Sequence, residues 1–263
     1  MFRFGERTYI MGILNVTPDS FSDGGEFTNV DIAINHAKEM IKNGADIIDI
    51  GGESTRPGSI EINAEEELDR VVPVVERLVK EIDVPISVDT YKASVAEKVL
   101  SLGVPIINDV WGLQRDKRMA SVIAKYDAYI VIMHNQLGTE YSKDIIECIK
   151  DFFEKSIKIA KEAGIKEDKI ILDPGIGFGK TFEQNVYVMK RLGELKSFDY
   201  PILLGTSRKS MIGKILDLPP RERIEGTIAT TVMGIMQGID IVRVHDVKEN
   251  LRAAKVADVI YRR

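Results

Sequence analysis

The feature that most constrains this 263-residue chain is an eightfold alternation of short apolar runs with amphipathic stretches. The apolar runs are rich in Ile and Val and are bounded by Gly, Pro, Asn and Asp, as is typical of strands that are buried on both faces. We predict strands at Ile10–Leu14, Ile47–Ile50, Ile86–Val88, Ile106–Ile107, Ala128–Met133, Ile170–Leu172, Ile202–Leu204 and Ile241–Val244. Eight β-then-α units without a linker favour one closed (β/α)8 TIM barrel over an open doubly wound sheet, with residues 1–263 as a single domain.

The ends of the chain carry two local signals. Residues 2–9 surround Gly5 and predict a short N-terminal β-hairpin that covers the bottom of the barrel. Asp246 and Glu249 have the spacing of a capping box and predict the start of the last helix.

Composition narrows the class of protein. A net charge of −5 argues against non-specific nucleic-acid binding, although local cations can still bind an anionic substrate. No stretch approaches the roughly 18 consecutive apolar residues of a membrane span, and Met1–Arg7 lacks the apolar run of a secretory signal. The one cysteine, Cys148, cannot form an internal disulfide. We therefore expect a cytoplasmic protein that binds neither nucleic acid nor membrane.

Polar residues follow the predicted strands at the end where barrel enzymes carry their active sites. Asp89, Asn108 and Asp173 come directly after strands 3, 4 and 6. Carboxylates and an amide that converge on the barrel mouth suit a planar heterocycle with an amino-pyrimidine edge, because Asp accepts from N–H groups and Asn both donates and accepts. The alternative for each residue is a purely structural role as a helix or turn cap.

Cationic residues and long connections complete this end of the barrel. Lys209 follows strand 7, Arg243 lies within strand 8 and His245 directly follows it, and this is where barrels often bind phosphate. The connections Asn15–Asn29 and Gly51–Asn63 are longer than usual, which is typical of binding loops.

The sequence also suggests a nucleotide phosphate loop and a histidine metal site, but the residues present favour neither. The run Asp173–Thr181 resembles a phosphate-binding loop, but Pro174 stands where that pattern requires glycine. Its glycines are better explained by close approach of the backbone to a ligand. A three-histidine metal cluster is disfavoured because His36 falls in a predicted helix. An oxygen ligand such as Asn15 beside a diphosphate would instead suit Mg2+.

Several longer runs resemble the motifs of bacterial dihydropteroate synthase, a pterin-binding family. MGILNVTPDSFSDGG (11–25) and GGESTRPG (51–58) are similar to its two signatures. SVDT (87–90), NDV (108–110), DPGIGFGK (173–180), SRKS (207–210) and RVHDV (243–247) follow in the family's order, so the resemblance covers nearly the whole chain. The family condenses (7,8-dihydropterin-6-yl)methyl diphosphate with 4-aminobenzoate, which gives 7,8-dihydropteroate and diphosphate in folate biosynthesis.

The resemblance implies roles for the residues of these motifs. The pterin diphosphate would be bound by Thr55, Asp89, Asn108, Met133, Asp173, Phe178, Lys209, Arg243 and His245. The 4-aminobenzoate would be bound by Phe21, Arg56, Pro57 and Ser210. Asn15 would ligate Mg2+, and Asp23, Lys209 and Arg243 would take part in catalysis. The resemblance also implies a homodimer and inhibition by sulfonamides, which we expect to compete with 4-aminobenzoate after the pterin diphosphate has bound.

Two other functions stay open on the sequence alone. A methyltetrahydrofolate-dependent methyltransferase also binds a pterin in a barrel, but it has no use for cations placed to hold a diphosphate. A non-catalytic pterin-binding protein would leave both long connections unexplained. Diphosphate release with and without 4-aminobenzoate distinguishes all three.

Overall fold

A computed structural model of the chain describes residues 2–17, 26–54 and 60–262. Within these residues the strands are β1 Tyr9–Asn15, β2 Ile47–Gly51, β3 Ile86–Asp89, β4 Ile106–Asp109, β5 Tyr129–Met133, β6 Ile170–Asp173, β7 Leu203–Leu204 and β8 Ile241–Val244. All neighbours pair in parallel, in the order β6-β5-β4-β3-β2-β1-β8-β7. A parallel bridge between Leu172 and Ile202 joins β6 to the residue before β7 and closes the ring. The predicted eight-stranded barrel is confirmed.

Helices surround the barrel. They are α1 Glu26–Lys42, α2 Ala64–Glu81, α3 Ala93–Ser101, α4 Met119–Lys125, α5 Ile145–Glu162, α6 Phe182–Lys190, α7 Ser210–Leu216, α8 Ile224–Met236 and α9 Val247–Tyr261. The connection between β7 and β8 holds two helices, α7 and α8. Among the helices described, none is long and apolar enough to cross a membrane.

The alternation of side chains along each strand explains where the polar residues lie. Alternate residues point into the barrel, and the lower part of its interior is an apolar cluster that includes Ile47, Ile106, Ile171 and Ile241. The inward-facing position two residues later on the same four strands is polar: Asp49, Asn108, Asp173 and Arg243. The period of two therefore sets a polar layer directly above the apolar one, at the carboxyl ends of the strands.

Residues 2–8 cover the bottom of the barrel as a turn instead of the predicted hairpin. Gly5 has a φ of +89° and makes the reversal, and the rings of Phe2 and Phe4 pack against Tyr9, with Phe2 also against Tyr129. Both edges of β1 are already hydrogen-bonded, to β2 and to β8. In the residues before β1, the backbone N–H groups of Arg3, Gly5 and Thr8 donate to the side chains of Tyr9, Asp240 and Asp258, so they are not available for a hairpin ladder.

Candidate active site

The polar layer gathers residues that the sequence predicted for the site. Asp89 and Asn108 are register partners on β3 and β4, and Met133 and Asp173 are register partners on β5 and β6. Asn108 is fully buried and Asp173 is 4% exposed. Because the carboxyl ends of parallel strands meet at one end of a barrel, a single ligand there can contact all four.

Arg243 lies inside this layer and ion-pairs with its carboxylates. Its Nη1 donates to Asp49 Oδ2 at 2.9 Å and to Asp89 Oδ2 at 3.0 Å. Asn108 Nδ2 also approaches Asp49 Oδ2, at 3.3 Å. Asp49 was not among the predicted site residues, although a charged residue between Ile48 and Ile50 in a buried strand could have indicated it.

Five buried polar atoms on β2, β3, β4 and β8 have no hydrogen-bond partner among the described residues: Asp49 Oδ1, Ser87 Oγ, Asp89 Oδ1, Asn108 Oδ1 and Arg243 Nε. A buried polar group without a partner costs about 1–3 kcal/mol, so folded proteins rarely contain several together. Three of the five atoms can only accept a hydrogen bond, and a fourth, the Ser87 hydroxyl, can donate or accept. Their concentration at one place indicates a ligand that supplies N–H donors.

Burial also perturbs the ionisable groups of the layer. It raises the pKa of Asp89 and of Asp173, against the opposing effects of Arg243 and Lys209 respectively. It lowers the pKa of Lys209 to about 8, while the nearby Asp173 acts to raise it. Clustered perturbed groups in a cleft are typical of a functional site.

A glycine-rich loop after β6 brings an aromatic ring and a lysine together. Lys209 Nζ donates to the carbonyl oxygen of Ile176 and lies 4.7 Å from the centroid of the Phe178 ring. Phe178 packs with Met133 and Val110 in an apolar cluster beside the polar layer. This cluster offers a flat apolar wall next to hydrogen-bonding groups, as expected for a heterocycle site.

The capping alternatives are decided residue by residue. The N-caps of α3 and α4 are Lys92 and Arg118, so neither Asp89 nor Asn108 caps a helix. Asp173 does cap its turn, because its Oδ1 accepts from the backbone N–H of Gly175 at 2.7 Å.

The ends of β7 and β8 are tied to each other. Ser207 Oγ lies 2.9 Å from His245 Nδ1, and Arg208 Nε donates to Asp246 Oδ2 at 3.0 Å. The predicted capping box of α9 was wrong: Asp246 occupies the N-cap position but makes no capping hydrogen bond, since its carboxylate pairs with Arg208. Ser210 is exposed at the start of α7, on the same end of the barrel as His245.

Asn15, the predicted Mg2+ ligand, ends β1 beside the polar layer. A Cβ placed on Gly51 would lie 3.5 Å from Asn15 Oδ1 and 3.9 Å from Asp89 Cβ, so the glycine keeps space open between these two side chains. Within the described ranges no three His, Cys, Asp or Glu side chains are grouped to hold a metal ion. A metal at Asn15 would depend on ligands from the substrate and water, as Mg2+ sites often do.

The remaining predicted site residues lie outside the described residues: Phe21, Asp23, Thr55, Arg56 and Pro57. Just before the second of these segments, Glu53 is buried and ion-pairs with Lys92, which also pairs with Glu67 at 2.6 Å. The Tyr91 hydroxyl donates to Glu53 Oε1 at 3.1 Å.

A groove of about 890 Å³ lies at the opposite end of the barrel, beside Phe2, Phe4 and Tyr129. Charged side chains on its rim pair with one another, such as Lys161 with Glu167 at 2.7 Å. It lacks the unpartnered buried polar atoms of the layer above β2–β4 and β8, so the carboxyl end is the better candidate site.

Comparisons with known sequences and with solved structures point to one family of proteins. Residues 11–245 match the sequence profile of the family described as pterin binding enzyme. A dihydropteroate synthase from Clostridium beijerinckii is 60% identical over 263 residues, covering 100% of this chain and 97% of that protein. The crystal structure of a dihydropteroate synthase from Clostridium difficile in the presence of pteroic acid has a TM-score of 0.99 and 66% identity, covering 100% of both chains. A Yersinia pestis dihydropteroate synthase in complex with a sulfonamide drug has a TM-score of 0.92 and 44% identity, covering 99% of this chain and 96% of that one.

Proposed function

The chain belongs to the pterin binding enzyme family, and from this premise we propose that it is a transferase acting as a dihydropteroate synthase. It condenses (7,8-dihydropterin-6-yl)methyl diphosphate with 4-aminobenzoate and releases 7,8-dihydropteroate and diphosphate, a step of folate biosynthesis. The observation that carries the proposal is the layer of unpartnered buried acceptors at the carboxyl ends of β2, β3 and β4.

These acceptors suit the donor edge of a pterin. The ring N–H and the exocyclic amino group would donate to oxygens of Asp89, Asn108 and Asp173. Asp49, which shares Arg243 with Asp89, would lie beside the same edge. Phe178 and Met133 would pack against the ring. Satisfying several buried acceptors at once gives specificity, because a heterocycle without these donors would leave the acceptors unpartnered.

The reaction breaks the C–O bond between the pterin methylene carbon and the diphosphate, and it forms a C–N bond to the arylamine. The nitrogen then loses a proton to solvent, to the released diphosphate or to Asp23. The electron-rich pterin supports positive charge on the methylene carbon. Lys209, Arg243 and His245 would supply charge and hydrogen bonds for the pterin diphosphate, and Thr55 would add a hydroxyl. No covalent intermediate on the protein is required.

Mg2+ is proposed as the cofactor, held by Asn15 together with the diphosphate and water. A neutral amide oxygen beside open space fits this hard cation. When bound, the ion would neutralise charge on the departing diphosphate. Asn15→Ala should lower turnover severely while the fold survives, and calorimetry should show weaker Mg2+ binding in the presence of diphosphate. Full turnover in excess chelator would contradict the assignment.

The arylamine side of the reaction rests on fewer described residues. We propose that 4-aminobenzoate binds beside Ser210, with Phe21, Arg56 and Pro57 completing its pocket. A sulfonamide presents the same arylamine and a sulfonyl group in place of the carboxylate, so it would compete for this pocket.

The proposed function is tested by measuring diphosphate release with and without 4-aminobenzoate. A dihydropteroate synthase releases diphosphate in an amount equal to the dihydropteroate formed, and release depends on the arylamine. Release that is equal without 4-aminobenzoate, or no release from a folded protein that binds pterin, would contradict the proposal. The second result would favour a non-catalytic pterin-binding protein.

We also propose a homodimer formed through α7, α8 and α9. Large apolar side chains are exposed on these helices: Ile215, Leu216, Met233, Met236, Val256, Val259, Ile260 and Tyr261. Since α8 packs against both α7 and α9, several large apolar side chains exposed on these three neighbouring helices favour a protein interface there. Sedimentation should show a dimer that Ile260→Glu weakens, and a monomeric wild type would contradict the proposal. A cytoplasmic location also stays a prediction.

A further inference from the structure

Lys180 ends the loop that connects β6 to α6, and the reaction proposed above does not use it. Its side chain is buried beneath the loop, with 9% of the residue exposed. Nζ donates to the carbonyl oxygens of Gly175 at 2.9 Å and of Phe178 at 3.0 Å, and it lies 2.9 Å from His134 Nδ1. The three contacts join both halves of the loop to the end of β5.

The geometry accommodates either protonation state of the lysine. An ammonium has three donors, which match the two carbonyl oxygens and an acceptor at His134 Nδ1. A neutral amine keeps both carbonyl contacts and accepts from a proton on Nδ1. Burial lowers the pKa of Lys180 to about 7 and the pKa of His134 well below its ordinary value, so the imidazole is neutral in both cases.

The loop backbone forms no strand or helix ladder of its own, so side chains hold it. Asn185 Oδ1 accepts from the Gly177 N–H at 2.6 Å and the Tyr141 hydroxyl donates to the Gly179 carbonyl oxygen at 2.9 Å, while Lys180 contacts both halves of the loop. Gly175, Gly177 and Gly179 all have positive φ, at 67°, 85° and 55°. A Cβ on Gly175 would lie 2.0 Å from the carbonyl oxygen of His134, so the loop and the end of β5 are in direct backbone contact. A loop of alternating left-handed residues loses much conformational entropy on folding, and the Lys180 contacts offset part of that loss.

The loop also carries three contacts of the candidate site. The Ile176 carbonyl oxygen accepts from Lys209, the Phe178 ring lies beneath the same ammonium, and the Gly175 N–H donates to Asp173. A shift of the loop would therefore move the partners of Asp173 and Lys209 together with the aromatic wall.

We propose that Lys180 is a positioning residue for pterin binding, whose side chain braces the glycine-rich loop from beneath against His134. The inference rests on the proposed function, since it assigns the loop to the pterin. Lys180 would act without contacting either substrate, because its Nζ is engaged by the two loop carbonyl oxygens and by His134. The resemblance of the run to a phosphate-binding loop is thus a resemblance of sequence only, because the lysine points into the protein and towards the loop's own carbonyl groups.

The test compares Lys180→Met, which keeps the stem but removes the donors, with Lys214→Met, which removes an exposed lysine from α7. The Lys180 variant should bind the pterin diphosphate about tenfold or more weakly by calorimetry, with a matching rise in its KM. The KM for 4-aminobenzoate should change much less. Amide hydrogen exchange of residues 175–179 should accelerate in Lys180→Met and stay as in wild type in Lys214→Met.

If Lys180→Met does not fold, a pair of variants on the other side of the brace gives the same information. His134→Asn keeps an acceptor near the position of Nδ1, whereas His134→Leu removes it, so pterin affinity should fall more in His134→Leu. Unchanged pterin affinity in a folded Lys180→Met protein, or equal affinity in the two His134 variants, would overturn the positioning role. A wild type that fails to bind pterin would instead refute the proposed function itself.

Discussion

Replacing Asp89 by asparagine should separate binding from stability. Asp89 Oδ1 is buried without a partner, and Oδ2 accepts from Arg243 at 3.0 Å. Removing the charge of an acceptor that meets a buried donor edge costs on the order of 1.5–3 kcal/mol, so pterin affinity should fall about ten- to over a hundredfold.

The folded state should tolerate the same change. Asp49 and Asp89 share one cation, Arg243, and burial raises the pKa of Asp89, which means that the ionised carboxylate is disfavoured in the folded protein. Asp89→Asn keeps the shape, and Asp49 still pairs with Arg243 at 2.9 Å. We expect the free energy of unfolding to change by less than about 1 kcal/mol, because removing one charge from a buried cluster that stays paired is often neutral.

Asp109→Asn is the matched control, one residue beyond Asn108 on the same strand. Burial raises the pKa of Asp109 to about 6, but its two oxygens accept from the backbone N–H groups of Trp111 at 2.8 Å and Leu113 at 2.7 Å. An amide would set an N–H donor against one of these donors, which costs about 1–3 kcal/mol of stability. Asp109→Asn should therefore destabilise the fold and weaken pterin binding less than Asp89→Asn does.

Calorimetry with a pterin ligand and chemical unfolding of both variants form the assay. The assignment of Asp89 to pterin binding is refuted if Asp89→Asn binds pterin as tightly as wild type. It is also refuted if Asp89→Asn loses more stability than Asp109→Asn, because the carboxylate would then serve the fold.

Three further predictions concern other parts of the site. Because burial lowers the pKa of Lys209 to about 8, its ammonium is lost as the pH rises through that value. Pterin diphosphate affinity should therefore fall above pH 8 in wild type but persist to higher pH in Lys209→Arg. Identical pH profiles of affinity in the two proteins would contradict this role of Lys209. Gly175→Ala, with a φ of +67° and a Cβ 2.0 Å from the His134 carbonyl oxygen, should lose several kcal/mol of stability, whereas Gly138→Ala, with a φ of +76° and open space around it, should lose only about 1 kcal/mol in denaturant unfolding. A sulfonamide should compete with 4-aminobenzoate in steady-state kinetics and bind more tightly once pterin diphosphate is present; non-competitive inhibition would place its site elsewhere.

The barrel could be predicted because the alternation of apolar runs with amphipathic stretches is strong and occurs eight times along the chain. Strands buried on both faces appear as runs of Ile and Val, and the polar residues at their ends mark the active end of the barrel. The convergence of Asp89, Asn108 and Asp173 at the barrel mouth could therefore be predicted from the sequence. The turn at residues 2–8 could not be anticipated from those residues alone, because two side chains that bind its backbone, Asp240 and Asp258, lie far away in the chain.

The interactions that the sequence did not indicate are those that depend on side-chain reach. Asp246 has the sequence spacing of a helix cap, yet its carboxylate accepts a hydrogen bond from Arg208 at the end of the neighbouring strand β7. Lys180 follows a glycine pattern typical of phosphate binding, yet it turns inward to His134. In both cases the partner is distant in sequence, so local spacing carries no information about it.

The most direct test of the proposed pterin site is an experimental structure of the protein with a bound pterin diphosphate. We predict that the amino-pyrimidine edge lies within hydrogen-bond distance of Asp89, Asn108 and Asp173, and that buried atoms now without partners, such as Asp89 Oδ1 and Asn108 Oδ1, gain them. A pterin bound at the groove beside Phe2 and Tyr129, or one that leaves these acceptors unpartnered, would show that the polar layer is not the pterin site.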